Sequence, residues 1–358
     1  GKQFKIRVSQ SEEERAKRLH RDALVIDGHS DTPCDVIKRR SLGERRVLKN
    51  RHLARWRKGG LSGIVASSTA PLMHFPTCHA NYVEGGLNFL DALLQEQEES
   101  NGQVRVVTSA ADLSRAKREG KAGMVLGFEG GEPVGDNLAY LRSYYRLGLR
   151  LLQLTWNQRN LICDGVAERS NLGLSNFGFQ LIEELNKLGI VVDLAHISHK
   201  GLRDALSASK QPPIVSHTAC RALYDCPRNL SDDELHAIRE KGGVVGIAFY
   251  PRFFTEKTQP TVNHVLNHID HAVELIGARH IGLGPDFIDY CLDLMMPNLE
   301  HSKMKGYSEN IHHYPKGAED VTKLPNITRG LVARGYSDGE IRNILGGSFL
   351  RIFEAVWK

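Results

Sequence analysis

The sequence predicts an α/β protein, a single closed (β/α)8 barrel of the TIM type, on three observations. Eight short apolar runs alternate along the chain with stretches of helical period. Several runs are apolar almost without a break, as in Ile190-Val191-Val192 and Val244-Val245-Gly246-Ile247, the pattern of strands covered on both faces. The 358 residues contain neither an internal repeat nor a low-complexity linker, so one domain spanning 1–358 accommodates them. The structural competitor is a doubly wound open sheet. No glycine-rich phosphate fingerprint follows the first strand, which weighs against it.

Taken in order, the charged segment Ser9–His20 reads as a helix and makes residues 1–21 an N-terminal helical extension. The first strand follows: Ala23-Leu24-Val25-Ile26 runs into the polar turn Asp27-Gly28-His29-Ser30-Asp31-Thr32-Pro33. Further strands are expected at Ser62–Thr69, Ala122–Gly130, Leu149–Trp156, Gly189–Ile197, Pro213–His217, Val244–Phe249 and Ile281–Phe287. Helical periodicity fills Tyr82–Glu99, Ala111–Glu119, Leu138–Leu147, Asn176–Leu188, His199–Ser207, Asp232–Lys241 and Val262–Leu275, with caps such as Ser175 and Ser231. Residues 289–317, rich in His, Met, Pro and Asn, read as a long lid loop after the eighth strand.

Composition excludes several classes. Hydrophobic content of 41% and charge of 25% fit a globular protein in water, and the net charge of +5 is mild. Arg39, Arg40, Arg45, Arg46, Arg51, Arg55 and Arg57 crowd together, which reads as a solvated loop and helix face and not as a nucleic-acid patch. No run approaches the ~18–20 apolar residues of a membrane span. Cys34, Cys78, Cys163, Cys220, Cys226 and Cys291 are scattered, which favours a reducing, cytoplasmic setting; in an oxidising one Cys220 and Cys226 could bridge. The chain begins at Gly1, so removal of an export signal stays open.

The chemistry gathers at strand ends. His-x-Asp occurs at His20/Asp22, His29/Asp31 and His268/Asp270. The first and third pairs lie in charged, helix-like sequence and read as solvated faces; only the middle pair closes a buried strand. Two residues apart on extended backbone, His29 and Asp31 point to one side and can grip one divalent ion. In a barrel of this kind reactive groups come from the C-terminal ends of different strands. There the third strand presents Glu129, the fifth His196, the sixth His217 and the eighth Asp286. Three histidines and three carboxylates on one rim cannot be buried without pairing or metal, and they suit two ions sharing a carboxylate. Singly, each has a plainer role: a strand-end histidine as a hydrogen-bonder, Glu129 as a helix cap, His199 as the reactive imidazole in place of His196.

Asp-Gly-His-Ser-Asp (27–31), Gly-Phe-Glu-Gly-Gly (127–131), Asp-Leu-Ala-His (193–196), Ser-His (216–217), Pro-Arg-Asn (227–229), Gly-Pro-Asp-Phe (284–287) and Leu345-Gly346-Gly347-Ser348-Phe349-Leu350-Arg351 resemble the membrane (renal) dipeptidase family of zinc peptidases, peptidase family M19. The likeness runs in order over about residues 22–356 and reads as that of a microbial relative. It implies a metal-dependent hydrolase barrel with two zinc ions per chain. His29 and Asp31 would hold one, His196 and His217 the other, and Glu129 would bridge them; manganese or cobalt could take the same places. A hydroxide between the ions would attack the peptide carbonyl. Asp286 would orient that water and carry its proton to the leaving amine, and Arg228 would bind the substrate's terminal carboxylate as a two-pronged fork. A homodimer is a further expectation of the resemblance.

One position departs. Animal members carry a histidine after Leu-Thr on the fourth strand, where it supports the developing oxyanion. Here the run is Leu154-Thr155-Trp156-Asn157. An indole N–H donates a hydrogen bond but carries neither proton nor charge. Either the metals and another donor such as Asn157 suffice, or the substrate differs, which makes Trp156 and Asn157 candidate substrate contacts. The leading expectation is hydrolysis of dipeptides with a free C-terminal carboxylate, with a D-residue tolerated there. The alternatives are a binuclear amidohydrolase acting on another amide or an N-acyl amino acid, and a non-catalytic metal-binding homologue.

Overall fold

A computed structural model describes residues 6–68, 81–255, 259–288 and 314–358. Nine strands lie among them: β1 (Ile26–Ser30), β2 (Gly63–Ala66), β3 (Val104–Val106), β4 (Ala122–Glu129), β5 (Leu149–Gln153), β6 (Val191–Asp193), β7 (Ile214–Thr218), β8 (Val244–Ile247) and β9 (Ile281–Leu283). Eight run in the order β1-β2-β4-β5-β6-β7-β8-β9, every pair parallel. A parallel bridge between Ser30 and Phe287 brings the last turn back to the first strand and closes the (β/α)8 barrel. Right-handed crossovers through helices are what parallel neighbours require.

β3 is the strand that hydrophobic pattern misses. β4 is eight residues long, and β5 pairs only with Leu126–Glu129 of it. The edge left open at Ala122–Met124 takes Val104–Val106 instead. An unpaired ladder edge at that position would leave buried backbone groups unsatisfied.

The helices fall where periodicity places them, beginning with Gln10–Asp22 and including Tyr82–Glu99, Asn176–Leu188 and Val262–Ile276. Ser175 and Ser231 cap theirs as expected, Ser231 in a reciprocal capping box with Glu234. Thr32–Ser41, directly after β1, is an additional helix, opened by Pro33.

The core has two parts. Strand residues facing outward, such as Ile64, Met124, Leu152 and Val245, pack with the helices. Those facing inward, Ile26, Val65, Val125, Leu151, Val191, Ile214 and Val244, pack on one face of the C-terminal helix Ser348–Val356. Phe349, Phe353 and Trp357 recur every four residues, so they share a face, and the last two rings stack at 4.2 Å. Phe349 enters the barrel axis: a Cβ on Gly28 or Gly282 would lie 2.4 Å from its ring. Glycine at those positions is what lets an aromatic ring form a floor beneath His29.

Two readings are corrected by burial. His20 and His268 do not line solvated faces. His20 lies between the Thr328 hydroxyl, which donates to Nδ1 at 2.7 Å, and the Gly59 carbonyl, 2.9 Å from Nε2. The Cys220 N–H donates to His268 Nδ1 at 2.9 Å. Their neighbour Asp22 is exposed, and Asp270 is half-buried, accepting from Arg334 and Tyr336. Helical charge pattern shows a residue's neighbours on its own helix, whereas these imidazoles find partners far along the chain. The arginine cluster is largely the solvated face expected, with Arg45, Arg46, Arg51 and Arg57 exposed; Arg40 departs from it, pairing with Glu96 and Glu99. Cys220 and Cys226 are separate buried thiols. Among the described residues no helix is long and apolar enough to cross a membrane. The expected lid loop lies outside the described residues except for 314–317.

Candidate metal centre

The site is assembled by aspartates that turn the chain at strand ends. Asp27 accepts the His29 N–H at 3.0 Å, and Asp193 accepts the N–H groups of Ala195 and Ser216 at 3.0 and 2.9 Å. A carboxylate taking the N–H two residues on mimics a turn. His29 and Glu129 lie on β1 and β4 themselves, His217 on β7, and Asp31 at the N-cap position of the helix after β1, its side chain making no capping bond. His196 and Asp286 sit three residues beyond β6 and β9 at φ of +63° and +58°. Side chains other than glycine enter that region at a cost and persist there where surrounding bonds hold them. The His196 carbonyl accepts from Val166 N–H at 2.7 Å, and the Asp286 carbonyl accepts from the Tyr314 hydroxyl.

The six expected residues converge. Glu129 Oε1 stands 3.2 Å from His196 Nε2 and 3.7 Å from Nε2 of both His217 and His29. His29 Nε2 is also 3.6 Å from Asp31 and 3.8 Å from Asp286. Both ring nitrogens of His29 are buried without a hydrogen-bond partner among the described residues. Asn157 Oδ1, which can only accept, is 2.7 Å from His196 Nδ1 and therefore assigns that nitrogen the proton, leaving a lone pair on Nε2. His217 Nδ1 meets the Ser216 hydroxyl at 2.9 Å. The Nε2 atoms of His196 and His217 lie 2.8 Å apart.

Charge points the same way. Burial raises Glu129 well above the usual carboxylate range and lifts Asp286 to about 7 and Asp27 to about 8. Burial alone would depress His29, but the carboxylates of Glu129, Asp31 and Asp286 raise it to about 10. His196 and His217 are pushed well below 6.5 by burial and by the positive charges of Arg228 and His29, so they are neutral donors. Orphaned imidazole nitrogens, neutral lone pairs and crowded carboxylates fit a divalent cation. Two triples share Glu129, His29–Asp31–Glu129 and Glu129–His196–His217, with a third at His29–His217–Asp286; in each, the donor atoms lie within 4.8 Å of one another.

Arg228 lies buried beside the cluster, its Nη2 donating to the His217 carbonyl at 3.2 Å and its guanidinium 5.1 Å from the Phe253 ring centre. Trp156 is half-buried, its ring 6.0 Å from that of His196. His199 is not in the cluster: it joins Glu234 at 2.7 Å and Arg221 at 3.0 Å. The turn-forming roles of Asp27 and Asp193, and the contacts of Ser216, Asn157 and Val166, escape motif reading. An aspartate two residues before a strand-end turn was the available signal for the first two.

Residues 13–358 match the sequence profile of the membrane dipeptidase family, peptidase family M19. The chain belongs to that family. It is a family of metallopeptidases, which makes the chain a hydrolase of dipeptidase type. Dipeptidase verJ of Clonostachys rogersoniana is 29% identical to this M19 chain over 360 residues, 96% of this chain and 86% of that protein. An amidohydrolase from Pseudomonas aeruginosa superposes with a TM-score of 0.80 at 27% identity, covering 96% of this chain and 99% of the other. A metallo peptidase from Rhodobacter sphaeroides, liganded with a phosphinate mimic of the dipeptide L-Ala-D-Ala, superposes at 0.79 with 25% identity over 94% and 100% of the two chains.

Proposed function

We propose that the protein is a zinc-dependent dipeptidase acting on dipeptides with a free C-terminal carboxylate, a D-residue at that end included. The observation that carries this reading is one carboxylate oxygen, Glu129 Oε1, within 3.7 Å of three imidazole Nε2 atoms. His29 and Asp31 would hold one ion, His196 and His217 a second, with Glu129 between. When bound, the pair supplies Lewis acidity at the substrate carbonyl and brings a water's pKa down towards ~7.

The chain's own groups do the rest. Asp286, its side chain 3.8 Å from His29 Nε2, takes a proton from the attacking water on Oδ1 and passes it to the leaving amine nitrogen. Arg228 holds the substrate carboxylate by a two-pronged charge-assisted contact, and its burial leaves little water to compete. A carboxylate fixed there lies one residue beyond the scissile bond, which limits substrates to dipeptides. Trp156 offers one N–H beside His196 and bounds the pocket as a flat apolar wall. The dipeptide mimic held by the Rhodobacter sphaeroides relative supports both the substrate length and the D-configuration.

The test measures metal content and hydrolysis together, on L-L and L-D dipeptides and their C-terminal amides. About two zinc per chain, activity lost to a chelator and regained with zinc, and amides left uncut are the expected results. Arg228→Lys should raise KM about 10–100-fold for the acids, since a lysine cannot form the fork. Two metals with no dipeptide cleaved would refute dipeptide hydrolysis and shift the reading to another amide, as the amidohydrolase relative would suggest.

A further inference from the structure

We propose that the loop between β5 and the helix Asn176–Leu188 is a clasp that sets His196, and that Asn157 within it is a positioning residue for that ligand and not a substrate contact. The inference rests on the two-ion reading of the site and assigns one second-layer partner to it. His196 is gripped on both sides by this loop. Asn157 Oδ1 takes the side chain at Nδ1, 2.7 Å away, and Val166 N–H takes the main-chain carbonyl at 2.7 Å. An antiparallel bridge from Gly165 to Ile197 and a bond from Ser198 N–H to the Asp164 carbonyl extend the grip along the same turn.

The loop is rigid enough to serve. The Ala167 N–H donates to the Asn157 carbonyl at 2.9 Å, so the two gripping points are tied to each other. Asp164 binds the Arg159 guanidinium at 2.5 Å and accepts from the Ser170 hydroxyl and the Leu172 N–H at 2.8 and 2.7 Å. Gly165 is where the strands of the clasp touch: a Cβ there would lie 2.3 Å from the Trp156 carbonyl oxygen and 2.4 Å from that of Asn157. Both obstacles are backbone, so no rotamer change relieves them.

Each grip answers a specific need. His196 stands at φ +63°, and a strained main chain stays there only while its carbonyl is held. The ring has two tautomers, and only the one protonated at Nδ1 leaves Nε2 free to bind a cation beside His217 and Glu129. An acceptor on Nδ1 fixes that tautomer and the ring plane, and loss of such a partner typically weakens metal binding about 10–100-fold. The Asn157 amide has its acceptor committed in this way, while its Nδ2 is buried without a partner among the described residues.

The test is zinc affinity of the full chain, by competition with a chromophoric chelator, for wild type, Asn157→Leu, Asn157→Asp and Gly165→Ala. The clasp predicts a loss of about 10–100-fold at one of two sites for Asn157→Leu and Gly165→Ala. Asn157→Asp, which keeps an acceptor on Nδ1, should stay within a few-fold of wild type. If Asn157→Leu does not fold, Asn157→Asp and Gly165→Ala decide alone. Excess zinc should restore much of the lost turnover with KM unchanged. Unchanged zinc affinity in Asn157→Leu with a raised KM would overturn the proposal and return Asn157 to substrate contact, as would loss of zinc in Asn157→Asp. A wild type that binds no zinc would instead overturn the two-ion reading itself.

Discussion

The ring of Phe349, packed against Gly28 and Gly282, offers a sharp test of how the barrel is filled. Phe349 is fully buried, and the three nearest atoms to a Cβ built on Gly282 all belong to its ring, at 2.4, 2.8 and 3.0 Å. Gly282→Ala therefore overpacks first against the Phe349 ring, at a cost of about 1–3 kcal/mol. Phe349→Ala empties the axis and should cost about 3–5 kcal/mol. Together the two changes should cost less than their sum by at least about 1 kcal/mol, because the new methyl enters space that the ring has left. Urea unfolding of the four proteins, with slopes compared for two-state behaviour, measures the coupling. Additivity within ~0.5 kcal/mol would refute the packing contact and with it the floor beneath Gly28 and His29.

Two further perturbations probe the fold away from the centre. His268 is held neutral, burial lowering it to about 3, whereas the unfolded chain protonates near its ordinary value of 6.5. Below 6.5 the unfolded state binds more protons, so stability falls with falling pH, by up to about 2 kcal/mol from this group at pH 5. His268→Gln should flatten the pH dependence between 7 and 5 by that amount; an unchanged slope would show that the imidazole protonates in place. Arg40 joins Glu96 at 2.6 Å and Glu99 at 3.0 Å, and Glu96 is fully buried. Arg40→Met strands that charge and should cost about 3–5 kcal/mol in urea unfolding, with partial recovery on adding Glu96→Gln; no loss would refute the ion pair's part in stability.

The sequence by itself determined the architecture and the inventory of the rim. Hydrophobic period is a local property, so the eight barrel strands, the major helices and caps such as Ser231 were legible from stretches of a dozen residues. The six ionisable residues at strand ends were legible too, because a barrel with parallel strands carries all those ends to one face, whatever the loops do. What the pattern could not supply was partnership across the chain. β3 exists because β5 leaves half an edge of β4 open, a consequence of relative strand lengths. His20 and His268 look like helix-surface residues until Gly59, Thr328 and the Cys220 N–H close on them. Arg40 reads as one more solvated arginine until Glu96 and Glu99 reach it from another helix. The placement of Phe349 in the axis depends on Gly28 and Gly282, both far from it in the sequence. Tertiary structure alone decided these, as it decided that Asn157 meets His196: each rests on distances between residues far apart in sequence, set only once the backbone has closed into a barrel.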